Sequence, residues 1–268
     1  MEDLKLIKYP RTPHIEGSRL QVGDEDLSQI PFQKIKGKHI VVEEKVDGAN
    51  TAVSFSAKGE LLLQNRGHYL EGGYREKHYN LLKQWANVHR DSLYAVLGSR
   101  YIMYGEWLYA KHTVYYDALP HYFLEFDILD RETNQYLDTP SRHKLIGNLP
   151  VCSVPVLKQG VFGSKEELLK LLGKSNYISD RHLENLREES EKLGLDAERQ
   201  IRETEKSDSM EGLYIKVEEN GYVVDRMKFV RASFLQTLDS SETHWLDRPI
   251  VPNKLAVPVE SLFEVSYE

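Results

Sequence analysis

The chain of 268 residues has one cysteine, no repeat, no low-complexity segment and no excess of positive charge, with 35 Lys and Arg against 42 Asp and Glu. A single cysteine, Cys152, excludes an internal disulfide and any cysteine-cluster metal site. Its setting in the apolar stretch from Pro150 to Leu157 makes it a small core hydrophobe. No apolar run reaches the roughly 18 residues that a membrane-spanning helix needs. Met1 to Leu6 alternates acids, lysines and leucines, unlike the apolar core of a signal peptide. The expectation is a cytoplasmic protein with no membrane partner. The net charge of −7 argues against a protein that coats nucleic acid through bulk electrostatics. Much of the acid lies between Glu184 and Asp208, however, and Lys34, Lys36, Lys38, Arg66, Arg75, Lys77 and Lys111 leave local basic surface in the first half. Those residues form a phosphate track only if the fold gives them one face.

What is present is the material of one packed domain. Hydrophobic content of 40% against 29% charged residues suits a globular core rather than disorder. Residues 39–45, 51–57 and 60–64 are β-rich and separated by turn signals, which predicts three successive strands. Tyr79, Leu82, Trp85, Ala86, Leu93 and Leu97 recur at helical spacing across Glu76 to Leu97. Strand character returns at Arg100 to Trp107 and at His121 to Leu129. Thr139 to Leu149 reads as a short helix with Pro140 in its first turn. Ser164 and Glu167 form a capping box, and Asp180 to Lys206 is charged and helix-prone. Asn220-Gly221 marks a hairpin between Glu211 to Glu218 and Tyr222 to Arg231. These elements predict an α+β fold of antiparallel sheets flanked by helices. We expect one domain over residues 1–240, a helical insertion at 164–206 and a short tail over 241–268 without a complete second domain.

The chemistry concentrates at Lys45-Val46-Asp47-Gly48-Ala49-Asn50, directly after an apolar strand. Alone, this hexapeptide describes a charged turn. In order downstream come Asn65-Arg66-Gly67, Gly105-Glu106-Trp107, Phe123 to Asp127, Glu211 to Lys216, and Arg226-Met227-Lys228. The series resembles the collinear motifs of the covalent nucleotidyltransferases, the polynucleotide ligases and capping enzymes. The asparagine Asn50 resembles the RNA ligase branch of that superfamily.

The resemblance implies a nucleotidyltransferase domain, described as ATP-grasp-like, and an ATP-dependent RNA ligase acting in RNA repair. Its substrates are RNA 5′-phosphate and 3′-hydroxyl ends, an end-processing protein is an expected partner, and ATP and Mg2+ or Mn2+ are the expected cofactors. Lys45 matches the nucleophile that forms a lysyl-AMP intermediate. Glu43 or Glu44 matches the acid that contacts adenine, and strand alternation places Glu43 on the side of Lys45. Arg66 matches the arginine for ribose and phosphate, Glu106 the acid for the ribose hydroxyl, and Phe126 the ring that stacks on the base. Glu211 matches the acid near the metal. Lys216, Arg226 and Lys228 match the basic residues that hold phosphate and leaving group, and Asp47 and Asn50 flank the catalytic turn.

A lysine attacks phosphorus only as the neutral amine, so burial and nearby positive charge from Lys216, Arg226 and Lys228 are expected to lower the Lys45 pKa. Tyr109, Lys111, His112, Tyr115 and Tyr116 form a basic-aromatic cluster that suits either exposed base stacking or a loop packed on the core. The irregular segments Pro10 to His14 and Gly17 to Arg19 are expected to approach RNA. The rival readings are a capping-type guanylyltransferase and a non-catalytic RNA-end-binding module of the same fold.

Overall fold

In the computed structural model, which describes residues 5–20, 24, 28–234 and 249–264, most of the strands are antiparallel and helices cover the sheet. In chain order the strands are β1 (His14–Ile15), β2 (Gln29–Ile30), β3 (Ile40–Lys45), β4 (Ala49–Phe55), β5 (Leu61–Asn65), β6 (Tyr101–Trp107), β7 (Phe123–Asp130), β8 (Gln135–Leu137), β9 (Cys152–Ser153), β10 (Val156–Gly160), β11 (Gly212–Glu219) and β12 (Tyr222–Val230). The helices are α1 (Asn80–Val88), α2 (Arg90–Leu97), α3 (Thr139–Ile146), α4 (Lys165–Leu169), α5 (His182–Lys192) and α6 (Ala197–Arg202).

The sheet path runs β10-β3-β11-β12-β8-β7-β6-β4-β5. The three predicted early strands therefore do not form one meander. Strand β3 pairs with β10 and β11, whereas β4 pairs with β5 and β6. Val46 to Gly48 carries the chain from one half of the sheet to the other.

Alternation decides which side chains meet. Ile40 and Val42 of β3, Leu213, Ile215 and Val217 of β11, and Met227 and Phe229 of β12 pack with Phe32, Phe162 and Leu168 in one core. Their neighbours, one residue out of phase, point the opposite way. Those neighbours are Glu43, Lys45, Tyr214, Lys216, Arg226 and Lys228. In the other half, Leu82, Trp85, Leu93 and Leu97 of α1 and α2 pack on Met103, Trp107 and Phe123. Each buried leucine there contributes about 1.5–3 kcal/mol. The predicted long helix is broken: a 3-10 turn at Tyr74–Tyr79 precedes α1, and His89, which donates from Nε2 to the Leu262 carbonyl at 2.7 Å, separates α1 from α2.

The Asn220-Gly221 hairpin joins β11 to β12, with φ of 56° and 89° at the two turn residues. Ser164 caps α4 by accepting the Glu167 N–H at 3.3 Å. Of the expected tail, 241–248 and 265–268 lie outside the described residues. Asn253 ties the remainder to the body: it accepts the Tyr116 N–H at 2.9 Å and donates to the Leu108 carbonyl at 2.7 Å. The basic-aromatic cluster is thus the packed alternative, with Lys111, His112, Tyr115 and Tyr116 all buried.

Candidate active site

Lys45 ends β3 opposite Gly212, so the residue before that glycine, Glu211, arrives beside the amine. Lys45 Nζ lies 2.7 Å from Glu211 Oε1 and 2.8 Å from Oε2. The lysine side chain is 22% exposed and the glutamate 2%, so the pair sits at the floor of an opening to solvent. Glycine is required on both sides of this join. A Cβ on Gly212 would stand 1.9 Å from the Phe229 carbonyl oxygen. One on Gly48 would stand 2.6 Å from Leu108 and 2.8 Å from the Trp107 carbonyl oxygen. The glycine of the hexapeptide therefore serves close packing against β6, beyond the turn read from sequence.

The Asp47 carboxylate accepts the Thr113 and Val114 N–H groups at 2.7 and 2.9 Å, and the Asp47 N–H donates to the Tyr116 hydroxyl at 2.8 Å. Asn50 on β4 pairs with Glu106 on β6. Glu106 also accepts from the Gly48 backbone, so the hexapeptide and the Glu106 motif share one surface.

Electrostatically the site is an acid-rich pocket around one amine. Burial raises the Glu106 carboxyl to about 8, with Lys45 opposing and Glu211 and Asp47 reinforcing the shift. Burial likewise raises Glu211 to about 7, against the opposing charge of Lys45. The Lys45 shift overturns the expectation. Burial does work to lower it, but Glu211, Glu106 and Asp47 together outweigh burial and raise it above its ordinary value. The free site stores the ammonium form. Lys228 shifts the other way, lowered by burial and then by the charge of Lys45.

The other two predicted cations belong to a deeper layer. Lys216 Nζ is 2.8 Å from Glu43 and 3.3 Å from Asp127, and it donates to the Phe126 carbonyl. Arg142 of α3 bridges Glu43 at 2.6 Å and Glu125 at 2.7 Å. Arg226 lies 3.8 Å from Asp127 and stacks 3.9 Å from the Tyr136 ring centroid. Glu43, Glu125 and Asp127 are thereby matched by Lys216, Arg142 and Arg226. Buried charges persist only with such pairing. Lys216 and Arg226 thus lock the two sheet halves together through buried carboxylates.

Glu44 is held by Asn176 Nδ2 at 2.6 Å and by the Ser175 hydroxyl at 2.5 Å, so both candidate adenine-contacting acids are buried and engaged. Phe126 is half-buried, its ring centroid 5.1 Å from that of Tyr9 and 6.2 Å from that of Tyr214. Arg66 is exposed just past the end of β5. Pro10 to His14 and Gly17 to Arg19 line this region, but His14 is buried and bonded to Ser18 and Asp24. Among the described residues no group of three or more His, Cys, Asp or Glu side chains is placed to hold a metal ion, and no helix is long and apolar enough to cross a membrane.

A profile of the RNA ligase family matches residues 38–230, which include every residue of this site except the N-terminal segment. The chain belongs to the RNA ligase family. No curated protein matches it. Among solved structures it is similar to Naegleria gruberi RNA ligase with PPi, at 18% identity and a TM-score of 0.57 over 88% of this chain and 59% of that one. A variant of the same Naegleria ligase with ATP and Mn matches at 16% identity and a TM-score of 0.53, over 86% of this chain and 58% of that one. The chain thus spans less than two thirds of those proteins, and the likeness shows the fold.

Several residues that build this site escaped the sequence reading. Arg142 looks like one more surface base in Ser141-Arg142-His143-Lys144, and nothing local shows that it bridges β3 and β7. Tyr9 donates to Asp127 at 2.5 Å and meets the Tyr214 hydroxyl at 2.6 Å from far along the chain. Asp24 pairs with Lys228 in the same way. Only Asp127 had a signal, its place directly after Phe126.

Proposed function

We propose that the protein is an ATP-dependent RNA ligase that joins 5′-phosphate and 3′-hydroxyl ends through a lysyl-AMP on Lys45. The observation that carries this reading is the partly open Lys45 amine held by Glu211 at the join of the two sheet halves. The Naegleria structures with PPi and with ATP and Mn support nucleotide and divalent-metal use.

Lys45 needs to lose its proton before it attacks, and Glu211, held near neutrality, is the acceptor in contact. The neutral amine attacks the α-phosphorus of ATP; the N–P bond forms and the P–O bond to pyrophosphate breaks. Lys228 meets the phosphate charge, and Glu106 and Asn50 face the sugar and the RNA end. Phe126 stacks on adenine, Glu43 or Glu44 reads its edge, Arg66 closes over ribose and phosphate, and Lys216 and Arg226 hold Asp127 and the Phe126 backbone in place. An RNA 5′-phosphate oxygen next attacks the AMP phosphorus and releases Lys45, giving an RNA-adenylate. The 3′-hydroxyl then attacks the 5′-phosphorus, loses its proton and expels AMP.

Glu211, with Glu106 and Asp47 nearby, presents hard carboxylate oxygens of the type Mg2+ or Mn2+ takes. Magnesium sites commonly use one or two carboxylates beside substrate phosphates, so a larger protein cluster is not needed. When bound, the metal would neutralise triphosphate charge.

Labelled ATP and labelled GTP, each with magnesium and then with 5′-phosphorylated RNA, test the reading. Label is expected to pass from ATP to protein to RNA before sealing. Transfer from GTP alone would indicate a capping-type enzyme, and no transfer from either would indicate a non-catalytic module.

A further inference from the structure

The most exposed large apolar side chain among the described residues is Tyr74, at 81%. A ring that gains nothing from burial draws its use from what surrounds it. Lys77 holds its Nζ 3.9 Å from the Tyr74 ring centroid, which engages one face of the ring. Arg75 is exposed next to it. His68 lies 3.4 Å from Glu76, so the chain just past β5 adjoins this segment. One exposed acid, Glu71, interrupts the patch.

The segment is also anchored. Glu76 is buried and accepts the Gly72 N–H at 2.8 Å and the Lys83 ammonium at 2.6 Å. The Trp107 indole, on the strand that carries Glu106, donates to the His78 carbonyl at 2.7 Å. Tyr79 is buried, hydrogen-bonds Thr51 and feels the charge of Glu106. Five residues of 3-10 helix, at about 2 Å each, put Tyr74 roughly 10 Å from that anchor. Stacked nucleotides rise about 3.4 Å each, so the ring stands about three nucleotides beyond that anchor.

We propose that Tyr74 and Lys77, flanked by Arg75, form a stacking platform for one nucleobase of the RNA strand, about three nucleotides outward of the Tyr79 anchor and so on the flank of the break. This rests on the RNA ligase reading above. Lys77 covers one ring face, the base takes the other, and Arg75 meets a neighbouring backbone phosphate. Base stacking on an exposed ring tolerates any sequence, since every base has a π-face.

The test compares Tyr74→Ala and Tyr74→Trp with the parent protein in two measurements: AMP-adduct yield without RNA, and affinity for nicked RNA at one fixed salt concentration. Tyr74→Ala is expected to form the adduct normally and to bind RNA with long flanks roughly tenfold more weakly. Tyr74→Trp is expected to bind as the parent does. RNA trimmed to two nucleotides on each side of the break is expected to bind all three proteins alike. Unchanged affinity of Tyr74→Ala for long RNA overturns the platform, as does an equal loss on trimmed RNA, which would mark a structural role. Failure of the parent to form an adduct overturns the ligase reading instead, and the binding measurement still judges Tyr74.

Discussion

Lys45 Nζ stands 2.7 and 2.8 Å from the two carboxylate oxygens of Glu211, and the register of β3 against β11 fixes this contact. Two motifs more than 160 positions apart therefore meet in one ion pair. Glu211→Gln keeps the shape and removes the proton acceptor. Adduct formation is expected to slow by about 10²-fold or more, the usual scale for losing a positioned base. A single-turnover rate within a few-fold of the parent would assign the proton to another group.

Glu106 gives a pH-dependent stability signature. Its folded value of about 8 lies above the ordinary 4.5, so the folded state keeps a proton that the unfolded chain has lost. Stability therefore falls as pH rises from about 4.5 to 8, and the full cost is present above that window. Glu106→Gln is expected to raise the Tm of the nucleotide-free protein at pH 9, by about 2–4 °C for each kcal/mol relieved. At pH 4.5 the substitution is expected to change little. An equal shift at both pH values would show that ionisation is not its cause.

Arg142 answers Glu43 and Glu125 with no exposure of any of the three side chains. Arg142→Met removes the cation of Glu125 and leaves Glu43 with Lys216 alone. Breaking a buried pair in this way costs about 3–5 kcal/mol. Urea unfolding is the check, and a loss below about 1 kcal/mol would show that the carboxylates find other partners.

Phe126 is expected to act through its ring. Phe126→Ala should weaken ATP binding by roughly tenfold, the scale of one base–aromatic stack, while Phe126→Tyr should retain it. Equal ATP affinity in parent and alanine variant would reduce Phe126 to packing against Tyr9 and Tyr214.

The strands, the hairpin at Asn220-Gly221 and the capping box at Ser164 were legible because each rests on local chemistry. The hexapeptide singled out Lys45 as the candidate nucleophile for the same reason. What sequence could not show was the division of the sheet, which sends β3 and β4 into different halves even though only Val46 to Gly48 separates them. Charge partners were hidden by the same fact. Lys216 reads as one more phosphate-binding base until the fold places Glu43 and Asp127 beside it, and Arg142 and Tyr9 approach from elements with no motif at all. The sign of the Lys45 shift was missed because it depends on three acids, Glu211, Glu106 and Asp47, whose joint proximity only the tertiary structure reveals. Tyr109 to Tyr116 had the composition of a nucleic-acid surface, yet Asp47 and Asn253 bind its backbone and bury it.

The central claim is that Lys45 carries AMP. Intact-protein mass spectrometry after incubation with ATP and magnesium, on the parent and on Lys45→Arg, tests it most directly. The parent is expected to gain the mass of one AMP in an acid-labile adduct. Lys45→Arg, which keeps the charge but has no amine that can become neutral, is expected to gain none. An adduct of parental yield on Lys45→Arg would contradict the account.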